Sequence, residues 1–280
     1  MVSRLKDLGF KTFFLLFPAA IVYILLTDGD GCGDLPRDFR FFPIAGGSAL
    51  GLAIIWSFID KQRKPYARLQ YWLQVLLRYF LAYIIMQYGA AKVLDVQFAS
   101  SISSLDTPVV DMYPMTVAWS FFGYSFGYEF FIGCSQIVAA ILLLFRRTAT
   151  LGAILMVTIM SNIVFVNFAF SVCVKFFSST YLVMALYLLV DDATRLANVL
   201  LLNRTAEKRV YPVLFRKQSL KRIAAILGIL AGIFAIGYPL YETVHMKEKY
   251  GMGKHTALYG VWAVDSLHHT RDSLDRVLHI

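Results

Sequence analysis

The sequence predicts an all-α integral membrane protein with about seven transmembrane helices, and three observations predict it. Of its 280 residues, 58% are hydrophobic and only 16% are charged, and the mean hydropathy of +0.62 is far from that of a soluble domain. The apolar residues gather into runs of about 17 residues or more, the length a helix needs to cross a hydrocarbon core of about 30 Å. Basic residues cluster at the ends of alternate runs, the pattern of helices that start and finish in the cytoplasm. A net charge of +9 would suggest nucleic acid as the partner of a soluble protein. Here the basic residues flank membrane segments, so the partner they imply is the lipid bilayer and not nucleic acid.

The first run, residues 10–27, follows Arg4 and Lys6 and has no small-residue cleavage site after it, so it is read as an uncleaved helix. The stretch DGDGCGDLPRDFRF is rich in aspartate and glycine and is expected to be an exterior loop. A second, short helix over residues 43–59 ends at Lys61, Arg63, Lys64 and Arg68, a cytoplasmic cluster. Residues 1–69 thus make a pair of N-terminal helices joined outside the membrane. Residues 70–95 form the third helix, which carries Arg78 and Lys92 inside it. Asp106, Pro108, Asp111 and Pro114 then break regular structure, and Trp119, Phe121, Phe122 and Tyr124 suit an interfacial or re-entrant position.

The fourth helix covers residues 124–145 and ends at Arg146 and Arg147; the fifth covers 149–170 and the sixth 174–190. Residues 70–200 therefore form a four-helix membrane domain. Arg195, Arg204, Lys208, Arg209, Arg216, Lys217, Lys221 and Arg222 make residues 201–222 and their approach a basic cytoplasmic loop. A seventh helix, 223–240, leads to an extracytoplasmic tail, 241–280. Seventeen of the 27 lysines and arginines fall on the cytoplasmic side of this arrangement. The location expected is the bacterial inner membrane, with the amino terminus inside and the carboxyl terminus outside. Gly47/Gly51, Gly123/Gly127 and Gly228/Gly232 have the GxxxG spacing that lets two membrane helices approach closely.

Charged residues at bilayer depth cost about 2.5 to 3.5 kcal/mol on insertion scales, so they face the bundle and mark candidate sites. Arg78 and Lys92 are fourteen residues apart and share one helix face, yet they differ in depth by roughly 21 Å, so one carboxylate cannot serve both. Glu129, roughly 8 Å below the outer end of its helix, matches the level of Lys92. Asn162 and Lys175 fall at the same level, and Gln136 follows Glu129 two turns on. Lys92, Glu129, Gln136, Asn162 and Lys175 are accordingly the ligand-binding candidates, and Arg78 is an inner-leaflet anchor or separate contact. Two cations against one carboxylate leave positive charge over unless Asp95 turns in, which suits an anionic or carbonyl-bearing ligand such as a quinone or small oxyanion. The alternative is that Lys175 reaches the outer surface and that Lys92 with Glu129 only locks two helices together.

All five histidines, from His245 to His279, lie in the tail, so the bundle offers no bis-histidine haem site. There is no glycine-rich nucleotide fingerprint, no metal motif, and no CxxC among Cys32, Cys134 and Cys173. No cofactor is bound covalently or by motif, and a diffusible quinone is the cofactor that fits.

Several short motifs occur in a fixed order: an arginine early in a helix (Arg78), G-x-x-K near its end (Gly89 to Lys92), and a glutamate opening the next helix (Glu129). R-R-T-A-T-L-G (Arg146 to Gly152) and N-x-x-F-x-N-F (Asn162 to Phe168) follow before Lys175. With this order and spacing, residues 71–200 resemble the DoxX family of four-helix membrane proteins, in a larger form with flanking helices. Larger relatives of that kind are expected to carry an acidic residue and a proline shortly before the lysine, where this chain has Ser171 and Cys173. They also carry a β-rich exported extension that begins like residues 258–264, LYGVWAV, and that is expected to be truncated or replaced here by a short amphipathic helix. The resemblance implies a membrane subunit of a quinone-linked oxidoreductase complex, working with a redox protein partner. In that reading Lys92 and Lys175 hydrogen-bond the ligand oxygens and Glu129 orients Lys92 or relays a proton. The rival is a non-enzymatic carrier of a small anion or lipid, or a membrane assembly scaffold.

Overall fold

The computed structural model describes residues 2–27, 33–60, 66–98, 107–205, 212 and 214–249, and the regular structure there is helical throughout. The helices are α1 (Val2–Thr27), α2 (Pro36–Ile59), α3 (Ala67–Val93), α4 (Pro114–Gly123), α5 (Phe126–Leu144), α6 (Ala149–Ala169), α7 (Lys175–Val190), α8 (Ala193–Leu200) and α9 (Gln218–Lys249). Six of them, α1, α2, α3, α5, α6 and α9, are long and apolar enough to cross a membrane. The 16-residue α7 bends by 76° into α8, and the pair makes a seventh span if taken as one. The chain is a multi-pass helical membrane protein.

Several boundaries differ from those expected, the first helix already running from Val2 and the last from Gln218. The second helix begins at Pro36, not at residue 43, because Pro36 enters the first turn, where its missing N–H costs nothing. Asp38 then reaches back to accept the Leu35 N–H at 2.7 Å. The last helix continues through Pro239 to Lys249, and there Lys247 Nζ donates to Leu94 O at 2.7 Å, fastening it to the end of α3. The tail beyond residue 249, Cys32, Asp106 and the loop lysines Lys61, Lys64 and Lys208 lie outside the described residues, and with them the expected amphipathic helix.

α3 is the axis of the bundle: it touches α1, α5, α7 and α9. Half of its apolar stretch is buried within the protein, against 11% for α2 and for α9, which leaves those two as peripheral helices facing lipid. Two glycines explain how closely α5 lies on it. A Cβ at Gly89 would stand 3.0 Å from Gly133 O, and a Cβ at Gly133 would stand 2.9 Å from Gly89 O, so the two backbones touch where the helices cross. Of the GxxxG pairs, Gly228/Gly232 faces a neighbouring helix, with Gly228 against the Tyr79 hydroxyl that donates to its carbonyl at 3.1 Å. Gly47 and Gly51 have nothing within 4 Å, and Gly123 packs on the Phe98 carbonyl instead of on a membrane helix.

The two ends of the bundle differ in charge. At one end Arg68, Arg146, Arg147, Arg195, Arg216, Lys217, Lys221 and Arg222 surround the starts of α3, α6 and α9 and the ends of α5 and α7. Gln70 and Gln74 donate to Asp191 there, and Thr150 donates to the buried Asp192 at 2.6 Å. The opposite end is mixed: Asp34, Asp95, Asp111 and Glu129 stand there with Arg37, Arg40, Lys92, Lys175 and Lys247.

Candidate functional site

The site is best built from the last turn of α3. That helix stops in a Schellman motif, in which Val96 N–H returns to Ala91 O at 2.8 Å and Asp95 N–H to Lys92 O at 3.0 Å. Asp95 takes the left-handed conformation (φ 55°) that the motif requires; the residue is largely exposed, yet its carboxyl lies within hydrogen-bonding reach of the Glu129 carboxyl. The reversal swings Gln97 and Phe98 back over the helix end. Lys92, 4% exposed, donates from Nζ to Gln97 Oε1 at 2.8 Å and to Tyr88 O at 3.5 Å. Its ammonium also lies over the Tyr88 and Phe98 rings, 5.7 and 5.4 Å from their centres.

α5 faces this turn with one stripe, Glu129, Gly133 and Gln136. Ser125 caps the helix by accepting the Tyr128 N–H, which sets Glu129 in the first turn, where a carboxylate is favoured by the helix dipole. Glu129 and Gln136 are fully buried; among the described residues no donor group reaches the Glu129 oxygens, which face the Asp95 carboxyl, and the Gln136 carboxamide has no hydrogen-bond partner. Buried polar groups are nearly always paired, and leaving one unpaired costs about 1 to 3 kcal/mol. Lys92 and Glu129 are thus both buried at the α3–α5 crossing but form no ion pair, because the turn after α3 supplies Gln97 as the nearer acceptor.

The other expected members lie elsewhere. Lys175 opens α7 and pairs with Asp34: Asp34 Oδ2 accepts its Nζ at 3.3 Å and its backbone N–H at 3.0 Å, while Oδ1 accepts the Phe176 N–H at 3.1 Å. An aspartate from the loop before α2 therefore caps α7 across the bundle. Asn162 is exposed on the outside of α6, whereas Asn167, five residues on, is buried and donates to Ser178 Oγ at 3.0 Å. Arg78 is buried at the opposite end and caps α5, with Nε donating to Leu143 O and Nη2 to Leu144 O, each at 2.7 Å.

Outward of the cluster, a groove of about 600 Å³ runs between α4 and the start of α5, lined by Val109, Met112, Val117, Phe121, Tyr124 and Tyr128. Its volume falls in the range of small-molecule sites. Cys173, just before α7 at the same end of the bundle, is disulfide-bonded, and Cys134 is free. Sequence reasoning missed Gln97, Asp34 and this disulfide. An acidic loop carrying a cysteine was the one signal available.

Compared with known proteins, the chain is 41% identical to the uncharacterized protein YwoB of Bacillus subtilis over 122 residues, which are 44% of this chain and 78% of that one. It belongs to the YwoB family. No activity is attached to YwoB by its description, so the YwoB relationship defines kinship without chemistry. No family model matches the chain, and no solved structure does.

Proposed function

We propose that this protein is a membrane subunit that binds a small carbonyl-bearing amphiphile, of the quinone class, beside the Glu129 cluster and presents it to a redox partner. The observation that carries the proposal is the burial of Glu129 and Gln136 next to a buried lysine, with no donor group reaching the Glu129 oxygens, only the Asp95 carboxyl beside them. Two carboxyl groups facing each other at membrane depth are stable only when they share a proton, which suits a proton-handling role. The aromatic groove ending at Tyr128, one residue from Glu129, supports a flat, apolar ligand with polar ends. The DoxX-like order of Arg78, Lys92, Glu129 and Lys175 supports the same class. In this mechanism Lys92 and Gln136 hold the ligand oxygen by hydrogen bonds, and Glu129 gives or takes the proton that accompanies its reduction or oxidation.

The disulfide at Cys173 supports placing this end in an oxidising compartment, and the arginines and lysines at the other end support the cytoplasm there. The test is Glu129→Gln, which keeps size and hydrogen bonding but cannot transfer the proton. Quinone-dependent turnover of membranes containing the variant with its partner is expected to fall by about tenfold to a hundredfold or more, with insertion unchanged. Full turnover and full retention of quinone would overturn the proposal.

A second reading, a helix lock in an assembly scaffold, is favoured by the contact of Gly89 with Gly133, which presses α3 and α5 together beside Lys92. It predicts that Lys92→Met combined with Glu129→Leu keeps function. The quinone reading predicts loss.

A further inference from the structure

The turn after α3 carries a carboxyl that its backbone does not need. The left-handed residue of a Schellman turn is usually glycine, whereas here it is Asp95. Its side chain lies within hydrogen-bonding reach of the Glu129 carboxyl across the α3–α5 crossing. The two groups differ in their access to water: Glu129 is fully buried, and Asp95 is exposed. Around them, Lys92 gives its ammonium to Gln97 Oε1 and Tyr88 O, and Lys247 of α9 reaches the same turn at Leu94 O. α4 and α6, which also pack on α5, carry no ionisable side chain. Among the described residues, Asp95 is thus the carboxyl that joins Glu129 to water.

We infer that Asp95 is the proton mouth of this site, passing protons between the aqueous phase at this end of the bundle and the buried Glu129 carboxyl. The geometry asks for one short transfer. The O–H bond of Asp95 breaks as an O–H bond forms on the facing Glu129 oxygen, and Asp95 then takes a proton from water. Release runs the same two transfers backwards. One proton moves and no electron does. The pair holds at least one proton at every stage, so two negative charges never face each other at membrane depth. A role for Asp95 as a mere turn former is filled equally by asparagine or glycine, which both accept the left-handed conformation, so these two residues separate the turn from the proton. The inference rests on the quinone reading only for the use of the proton beyond Glu129.

The experiment is time-resolved infrared spectroscopy of the full chain in nanodiscs, with no quinone added, after a jump from alkaline to acidic buffer. The band of a buried carboxylic acid should grow in the wild-type protein and be missing from Glu129→Gln. In Asp95→Asn that band should still form, but about tenfold or more slowly. Asp95→Gly should be slowed as well, and formate, a carboxylate small enough for the vacated space, should restore its rate. Asp111→Asn, at another exposed aspartate of this end, should match the wild type. Each variant is scored only as a monodisperse, helical protein, and either Asp95 variant decides. The inference is overturned by a band that survives Glu129→Gln, by loss of the band or a wild-type rate in Asp95→Asn, or by an Asp95→Gly rate that formate does not raise. Because no ligand is present, the two readings fail separately: a slowed Asp95→Asn in a protein that retains no quinone sinks the ligand reading and leaves the proton mouth standing.

Discussion

At the scale of single residues, several charged groups of this protein serve as helix caps and cross-links between helices. Arg78 satisfies the last carbonyls of α5, Lys247 that of α3, and Asp34 the first N–H groups of α7. Each supplies a partner to backbone groups that a helix end leaves unpaired. Replacing Asp34 by Ala removes the acceptor of two N–H groups and one ammonium at once. Thermal unfolding in detergent should show a loss of about 1 to 2 kcal/mol, and Asp34→Asn, which keeps one carbonyl acceptor, should lose less. Glu129 and Gln136 stand apart from this pattern because they cap nothing. The depth of Lys92 and Glu129 was legible from spacing alone, since both sit on the face of a helix that must avoid lipid. Their failure to pair was not, because it depends on a backbone reversal after α3 that puts an aspartate, not the usual glycine, in the left-handed position. Asn162 and Asn167 show the same limit: five residues apart on a uniformly apolar helix, they differ by well over a right angle in direction. Nothing in the surrounding sequence says which one faces inward.

At the scale of elements, the contact of α3 with α5 sets the geometry of the candidate site, and it rests on two glycines that no GxxxG spacing announces. They lie in different helices, so their complementarity exists only in space. Gly133→Ala would bring a methyl group to 2.9 Å from Gly89 O, Lys92 Cβ and Val93 Cγ2. Separating the helices to admit it should cost about 1 to 3 kcal/mol, read as a lower midpoint of thermal unfolding. Gly47→Ala, whose added carbon meets nothing within 4 Å, should leave the midpoint unchanged or raise it slightly. A drop for Gly47→Ala equal to that for Gly133→Ala would contradict this account of the crossing. The membrane helices themselves were readable because apolar runs of that length have few alternatives. The extra turns of α2 and α9 were not, because Pro36 and Pro239 are ordinarily read as breaks, and their effect depends on where in a helix they fall.

At the scale of the whole molecule, the concentration of arginine and lysine at one end of the bundle predicts an orientation. Single cysteines placed at Arg147 and Glu248 stand at opposite ends of the bundle. In intact cells an impermeant maleimide should label E248C and spare R147C, with R147C labelled after the membrane is opened. Labelling of both from outside would show that the proposed topology is wrong. The count of spans depends on whether α7 and α8 act as one broken segment, which composition could not decide because each is short by itself.

The buried lysine of the first helix has a consequence for how the protein is made. Lys11 is fully buried, with Asp7 at 2.8 Å one turn back in the same helix and Asp60 at 3.3 Å from the end of α2. Ser57 and the rings of Trp56 and Tyr66 complete its surroundings. During synthesis Asp7 already precedes Lys11, whereas Asp60 follows 49 residues later. The nascent first helix therefore enters the bilayer with its charge half-neutralised, and its remaining demand is met when the second helix arrives. The hairpin of α1 and α2 thus holds both carboxylates of Lys11 within one unit, whose charge is balanced before α3 is made.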